Sequence, residues 1–132
     1  MTVRAPVLGV GVLVEHDGRV LLVKRGREPA KGLWALPGGK VEFKENLKHA
    51  AQREMREETG LDVEAGEVIY VFELIDERFH YVIVDLRARL LGGDLKPSDD
   101  VTDARWFERD KVGSETIEIN TRRCLERVLR KP

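Results

Sequence analysis

The segment from Glu45 to Leu61 constrains this chain most, because it is its clearest helical pattern and the pattern changes chemistry partway along. At about 100° per residue, Leu47, Ala50, Ala51, Met55 and Leu61 gather on one side, with Glu45, Lys48, Gln52, Arg56 and Thr59 on the other. A helix is expected from Glu45 to Thr59, closed by Gly60. Glu54, Glu57 and Glu58 fall on the stripe of Leu47, Ala50 and Ala51, so the inward face is apolar for two turns and then carries three carboxylates. Like charges on a partly buried face repel and lose hydration unless something cationic sits among them. One arginine cannot neutralise all three, which points to a hard divalent cation, Mg²⁺ or Mn²⁺, on oxygen ligands. Arg53, four residues from Glu57, is placed to orient it. Taken alone, the helix also reads as an ordinary solvated glutamate-rich surface.

Strand patterns surround this helix. Val10, Val12 and Val14 alternate, Asp17-Gly18 signals a tight hairpin turn, and Val20 to Val23 form the return strand. Gly26 to Gly32 read as a loop, Leu33 to Leu36 as a short strand, and Pro37-Gly38-Gly39 as a turn. Val63 to Leu74 is strand-like. From His80 to Leu91, Val82, Val84, Leu86, Ala88 and Leu90 share one face, and Tyr81, Ile83, Asp85, Arg87 and Arg89 the other. Gly92-Gly93 ends that strand. An acidic loop from Asp94 to Asp103, a short strand from Ala104 to Phe107 and a helix from Thr116 to Leu129 follow. With no repeat and no linker, these elements give one domain over residues 1–132, an α/β or α+β sandwich around a mixed sheet.

The balance of 23 basic and 24 acidic residues leaves no long-range field for nucleic acid or a membrane surface, so functional electrostatics must be local. Cys124 is the only cysteine, which excludes an internal disulfide and reads as a small core residue of the last helix. Met1 to Pro6 has no apolar run of the signal-peptide kind, and no stretch approaches a membrane span, so the cytoplasm is the expected location.

Gly39, five residues, Glu45, seven residues and then Arg53-Glu54-Met55-Arg56-Glu57-Glu58-Thr59-Gly60-Leu61 match every fixed position of Gly-x5-Glu-x7-Arg-Glu-U-x-Glu-Glu-x-Gly-U, with U apolar. This resembles the full signature box of the Nudix hydrolase family, whose MutT-like members share it. The preceding Leu36-Pro37-Gly38 and the order of elements extend the likeness over most of the chain. The resemblance implies an α/β/α sandwich around a mixed sheet, and Mg²⁺- or Mn²⁺-dependent hydrolysis of a diphosphate linkage. It implies Glu57 and Glu58 as metal ligands, Glu54 as a ligand or general base, the Gly39 carbonyl as a further ligand, and Glu45 and Arg53 as supports. It also implies an acidic residue from a loop beyond the box; Asp100 fits best among Asp99, Asp100 and Asp103.

The substrate is less legible. A proline about sixteen residues beyond the box often marks ADP-ribose hydrolases of this family, and Ile75-Asp76-Glu77-Arg78 lacks it. The tyrosine expected in dinucleoside polyphosphate hydrolases is missing too, with Phe79 and Tyr81 as approximate stand-ins. Arg25, Arg27 and Lys40 flank the expected cleft and can bind phosphate oxygens, while Trp34, Phe72, Phe79 and Tyr81 are candidates for stacking on a base. The expected partner is a nucleotide-type small molecule, with ADP-ribose-like nucleotide sugars ahead of (deoxy)nucleoside triphosphates. No membrane and no broad nucleic-acid surface is expected, and a homodimer is one option. A non-catalytic nucleotide sensor is the rival class; such domains usually lose box glutamates, and this chain keeps them.

Overall fold

The computed structural model describes residues 4–114 and 116–129, so the first three residues of the N-terminal segment lie outside it. Strands β1 (Val7–His16) and β2 (Arg19–Arg25) form the expected hairpin, with φ of 51° at Asp17 and 74° at Gly18, the two positive values a primed turn demands. Then come β3 (Trp34–Ala35), β4 (Gly38–Lys40), α1 (Leu47–Thr59), β5 (Leu61–Ile75), β6 (His80–Gly93), β7 (Val101–Glu108), a 3₁₀ turn over Arg109–Ser114 and α2 (Ile119–Leu129). The sheet runs β3-β2-β1-β6-β5, with β4 paired to β1 and β7 to β2. Only β1 and β6 run parallel among these pairs; the rest are antiparallel, so the sheet is mixed as expected.

Alternation along the central strands divides the core. Val10, Val12 and Val14 of β1 and Val84, Leu86 and Ala88 of β6 meet Ala50, Ala51 and Met55 of α1. Leu13, Val20 and Leu22 face the other way and pack with Trp34, Phe107, Cys124 and Leu125. One helix thus covers each face. Cys124 is buried, as its core assignment requires.

Strand ends shift by a residue or two at β3, β5 and β6, and four larger differences from expectation bear on the site. Helix α1 begins at Leu47 because Asn46 caps it, its side chain accepting from His49 N at 2.8 Å. Gly38 to Lys40 are a strand rather than a turn, since Gly38 opposes Gly11 and a Cβ there would strike the Val10 carbonyl. Strand β7 begins at Val101, so Asp103 lies in a strand beside Lys24 and not in the acidic loop. Helix α2 begins at Ile119; Glu118 Oε1 accepts from Thr121 N at 2.9 Å and starts it. One side chain also changes sides: Thr59, expected on the outer helix face, is fully buried and donates to Met55 O. Asp85 keeps its expected face of β6 and is buried there.

The end of α1 fixes the acidic loop. Gly60 has φ of 78° and its N–H bonds Arg56 O, while Lys96 N and Ser98 N donate to the last carbonyls, Thr59 O and Glu58 O. A Cβ at Gly60 would meet both an unfavourable φ and the Asp94 carbonyl. Gly60→Ala is therefore expected to cost at least about 1 kcal/mol, read as a lower urea midpoint; unchanged stability would show that the loop yields freely.

Candidate active site

Arg53 organises the carboxylates. Its Nε and Nη2 form a fork on Glu45, at 2.7 Å to Oε2 and 2.8 Å to Oε1. Nη1 donates to Glu54 Oε1 at 2.8 Å and to Glu57 Oε2 at 3.0 Å, and Nη2 also reaches Lys40 O at 2.9 Å. Glu45, expected on the outer helix face, precedes the helix and is covered, its side chain only 6% exposed. It further accepts from Glu42 N and bonds the His49 ring. The Arg53 bonds hold its carboxyl down at about 2, against the opposing effect of burial.

The remaining box glutamates separate. Glu54 lies flush against β4, where a Cβ on Gly39 would collide with its carboxylate. Burial raises its pKa, with Arg53 opposing. Glu58 receives Gly38 N–H at 3.1 Å, and burial pushes it up to about 7 against that bond and the Arg25 charge. Glu57 differs: its side chain is 60% exposed and lies along Arg53. Among the described residues, no three His, Cys, Asp or Glu side chains form a ready-made cation cage. The sequence placed all three glutamates on one stripe; the structure brings Glu54 and Glu58 into a shared cavity and leaves Glu57 outside its lining.

That cavity holds about 450 Å³, within the range of small-ligand sites. Gly38, Gly39 and Lys40 of β4 line it with the two glutamates; Arg25 comes from the end of β2, and Arg27 and Asp100 from the loops after β2 and before β7. Asp100 is half exposed; its Oδ1 pairs with Arg27 Nη2 at 2.6 Å and its carbonyl accepts from Gly26 N. Asp103 pairs instead with Arg105 and does not line the cavity, and Asp99 is exposed in the same turn as Asp100. Arg25 Nε donates to Pro29 O at 2.6 Å, which fixes its guanidinium.

The aromatic candidates divide. Phe72 and Tyr81 line the cavity. Phe79 stacks on Tyr81 at 5.5 Å outside the lining, and Trp34 is core, edge-on to Phe107 at 4.9 Å. The sequence reading missed Asp85, Glu118 and Thr121, which also line the cavity. The one available signal was a lone carboxylate inside an otherwise apolar stretch of β6, and it was masked by Arg87 and Arg89 at the same spacing.

The sequence profile of the NUDIX domain matches residues 5–128. The chain is similar to the ADP-ribose pyrophosphatase of Methanocaldococcus jannaschii, at 37% identity over 81% of this chain and 64% of that protein. It is also similar to the oxidized purine nucleoside triphosphate hydrolase of Danio rerio, at 38% identity over 76% of this chain and 65% of that one. The chain thus spans slightly less than two thirds of both. The crystal structure of a MutT NUDIX hydrolase from Burkholderia pseudomallei superposes with a TM-score of 0.86 and 34% identity, covering 95% of this chain and 99% of that one.

The raised carboxyl of Glu58 carries a pH signature. Below its ordinary value of 4.5 both folded and unfolded chains hold the proton, and nothing is lost. As pH rises from there through about 7, the fold resists ionisation that the unfolded chain accepts freely, so stability falls. Glu58→Gln, measured by urea unfolding without added metal, should match the wild type near pH 4 and exceed it by ~2 kcal/mol at pH 8. Equal stability at pH 8 would refute the buried, strained carboxylate.

Proposed function

The chain belongs to the Nudix family, and on that premise we propose that it hydrolyses the diphosphate linkage of a nucleoside diphosphate derivative, with ADP-ribose-like nucleotide sugars as the first substrate class. The observation that carries this reading is one cavity that sets Glu54 and Glu58 beside Arg25 and Arg27. Carboxylates and guanidinium groups together suit an anionic diphosphate only where a cation joins them.

The donor set fits a hard divalent ion, Mg²⁺ or Mn²⁺: Glu54, Glu58 and the Gly39 carbonyl offer oxygen alone, with Glu57 joining once it leaves Arg53. The raised carboxyls of Glu54 and Glu58 mark a place short of positive charge. When bound, such an ion neutralises diphosphate oxygens and lowers the pKa of attacking water. Arg25 and Arg27 hold phosphate oxygens, and Arg27 exchanges Asp100 for them. Asp100, released, positions the water from its side, and the carboxylate of Glu54, steadied by Arg53, takes the proton. Arg53 and Glu45 touch no substrate; they hold the others in place.

Nucleoside triphosphates are the second reading, supported by the similarity to a protein named as an oxidized purine nucleoside triphosphate hydrolase. A non-catalytic nucleotide sensor is less favoured, because every fixed box position is intact. A screen of nucleotide sugars, nucleoside triphosphates and dinucleoside polyphosphates with Mg²⁺ and Mn²⁺ decides: no cleavage of any diphosphate sinks the reading.

Two variants test the assignments. Glu57→Gln should fold normally yet lose activity by ~10- to 100-fold, with weaker Mn²⁺ binding; turnover within about twofold at saturating Mg²⁺ would remove Glu57 from the site. Asp100→Asn should lower kcat at least ~tenfold, about 1.4 kcal/mol of barrier, with KM little changed. A wild-type rate there leaves the acidic loop a solvated turn.

A further inference from the structure

The floor of the cavity carries a group that the hydrolysis described above does not use. Asp85 sits in β6 between Val84 and Leu86, and its side chain turns away from α1 into the cavity wall, 2% exposed. Its Oδ2 is buried and has no hydrogen-bond partner among the described residues. Its side-chain partner is the Cys124 thiol, a weak donor, and Glu118 nearby adds negative charge rather than relieving it. Burial pushes the Asp85 carboxyl up to about 7. A buried acceptor left unsatisfied by its own fold is costly, and in the wall of a cavity it marks where a ligand's donor belongs.

The neighbouring strand is shaped around it. Gly11 stands directly opposite Asp85 in the parallel ladder, and a Cβ there would collide with Asp85 Oδ1. Gly9, next on the same face of β1, would bring a Cβ within 2.8 Å of Ile83 Cδ1. The two glycines thus make room for the Asp85 and Ile83 side chains, which lie across β1 as the floor, and Leu36, Phe72, Leu74 and Tyr81 make the walls around it apolar. Glu118 and Thr121 also line the cavity, but the Thr121 hydroxyl donates to Glu118 Oε1 at 3.2 Å, whereas Asp85 Oδ2 has no such partner; an unpaired acceptor among apolar walls suits a planar ring with an N–H donor on its edge. A sugar, with hydroxyls around its whole rim, would leave most of them unpaired against those walls.

We propose that Asp85 selects the base: it accepts a hydrogen bond from the exocyclic amino group of a nucleobase seated against Ile83 between those apolar walls. This inference rests on the nucleotide reading above and names the part of the nucleotide that this end of the cavity recognises. A site that hydrogen-bonds an amino group discriminates strongly against the analogue lacking it, because its own acceptor is then left unpaired.

The test uses three pairs of monophosphates that differ only by that group: AMP against purine-riboside monophosphate, GMP against IMP, and CMP against 2-pyrimidinone-riboside monophosphate. Calorimetric titration of the intact chain without metal should show at least one amino partner binding ~tenfold tighter or more. Asp85→Leu should bring that pair within about twofold, whereas Asp85→Asn, which keeps an acceptor oxygen, should retain most of the preference. Preference below about twofold in every wild-type pair overturns the proposal, as does undetectable binding of all six compounds or preference that survives Asp85→Leu. Should Asp85→Leu not fold, the wild-type ratios and the Asn variant decide alone. Amino preference in a protein that cleaves no diphosphate would sink the hydrolase reading and uphold this one. Cleavage without amino preference would do the reverse.

Discussion

One guanidinium holds the site together. Arg53 spends its fork on Glu45, just ahead of the helix, and its remaining donors on Glu54, Glu57 and the Lys40 carbonyl. Strand β4, the connection after it and helix α1 are thereby tied at one point. Lysine cannot reproduce this, since it carries one charge centre and no planar fork. The bond also decides which glutamates face the cavity: Glu54 is steadied at its rim, Glu57 is drawn along the surface, and Glu58, beyond reach, turns to Gly38 N–H. Charge that would otherwise repel is divided between a permanent cation and a cavity.

The helix, its acidic stripe and the flanking strands were readable because each is a local property, a periodicity or a turn dipeptide. The box glutamates were readable as a group for the same reason. Their division into inward and outward members was not, because it depends on Glu45 reaching Arg53 from outside the helix. The burial of Asp85 was not readable for a related reason. Period-2 alternation says which residues share a face but not what covers that face. Here Asp85 is buried in the cavity wall beside Cys124 of α2, while Arg87 on the same face stays 40% exposed.

The short errors have physical causes too. Polar residues at the starts of α1 and α2 looked helical by pattern, yet Asn46 and Glu118 spend their side chains capping rather than extending the helix. The strand at Gly38 to Lys40 looked like a turn because Pro-Gly-Gly is usually one. It is a strand because the backbone must lie within reach of both β1 and the Glu54 carboxylate, and only glycine leaves that space.

The parallel pairing of β1 with β6 has a consequence for how the protein reaches this state. Val7 to Val14 find their partners in Tyr81 to Ala88, so the central ladder closes only after most of the chain is available. Such non-local contacts raise contact order and slow folding, because loop entropy is lost before the contacts repay it. The box helix and the β1–β2 hairpin can form early from neighbouring residues. The ligand slot cannot, since Gly11 on one strand and Asp85 on the other meet only at that last closure. During synthesis the β1 strand, rich in valine, waits with one edge unpaired for β6 to emerge, and during that interval the chain is most open to pairing with another copy of itself.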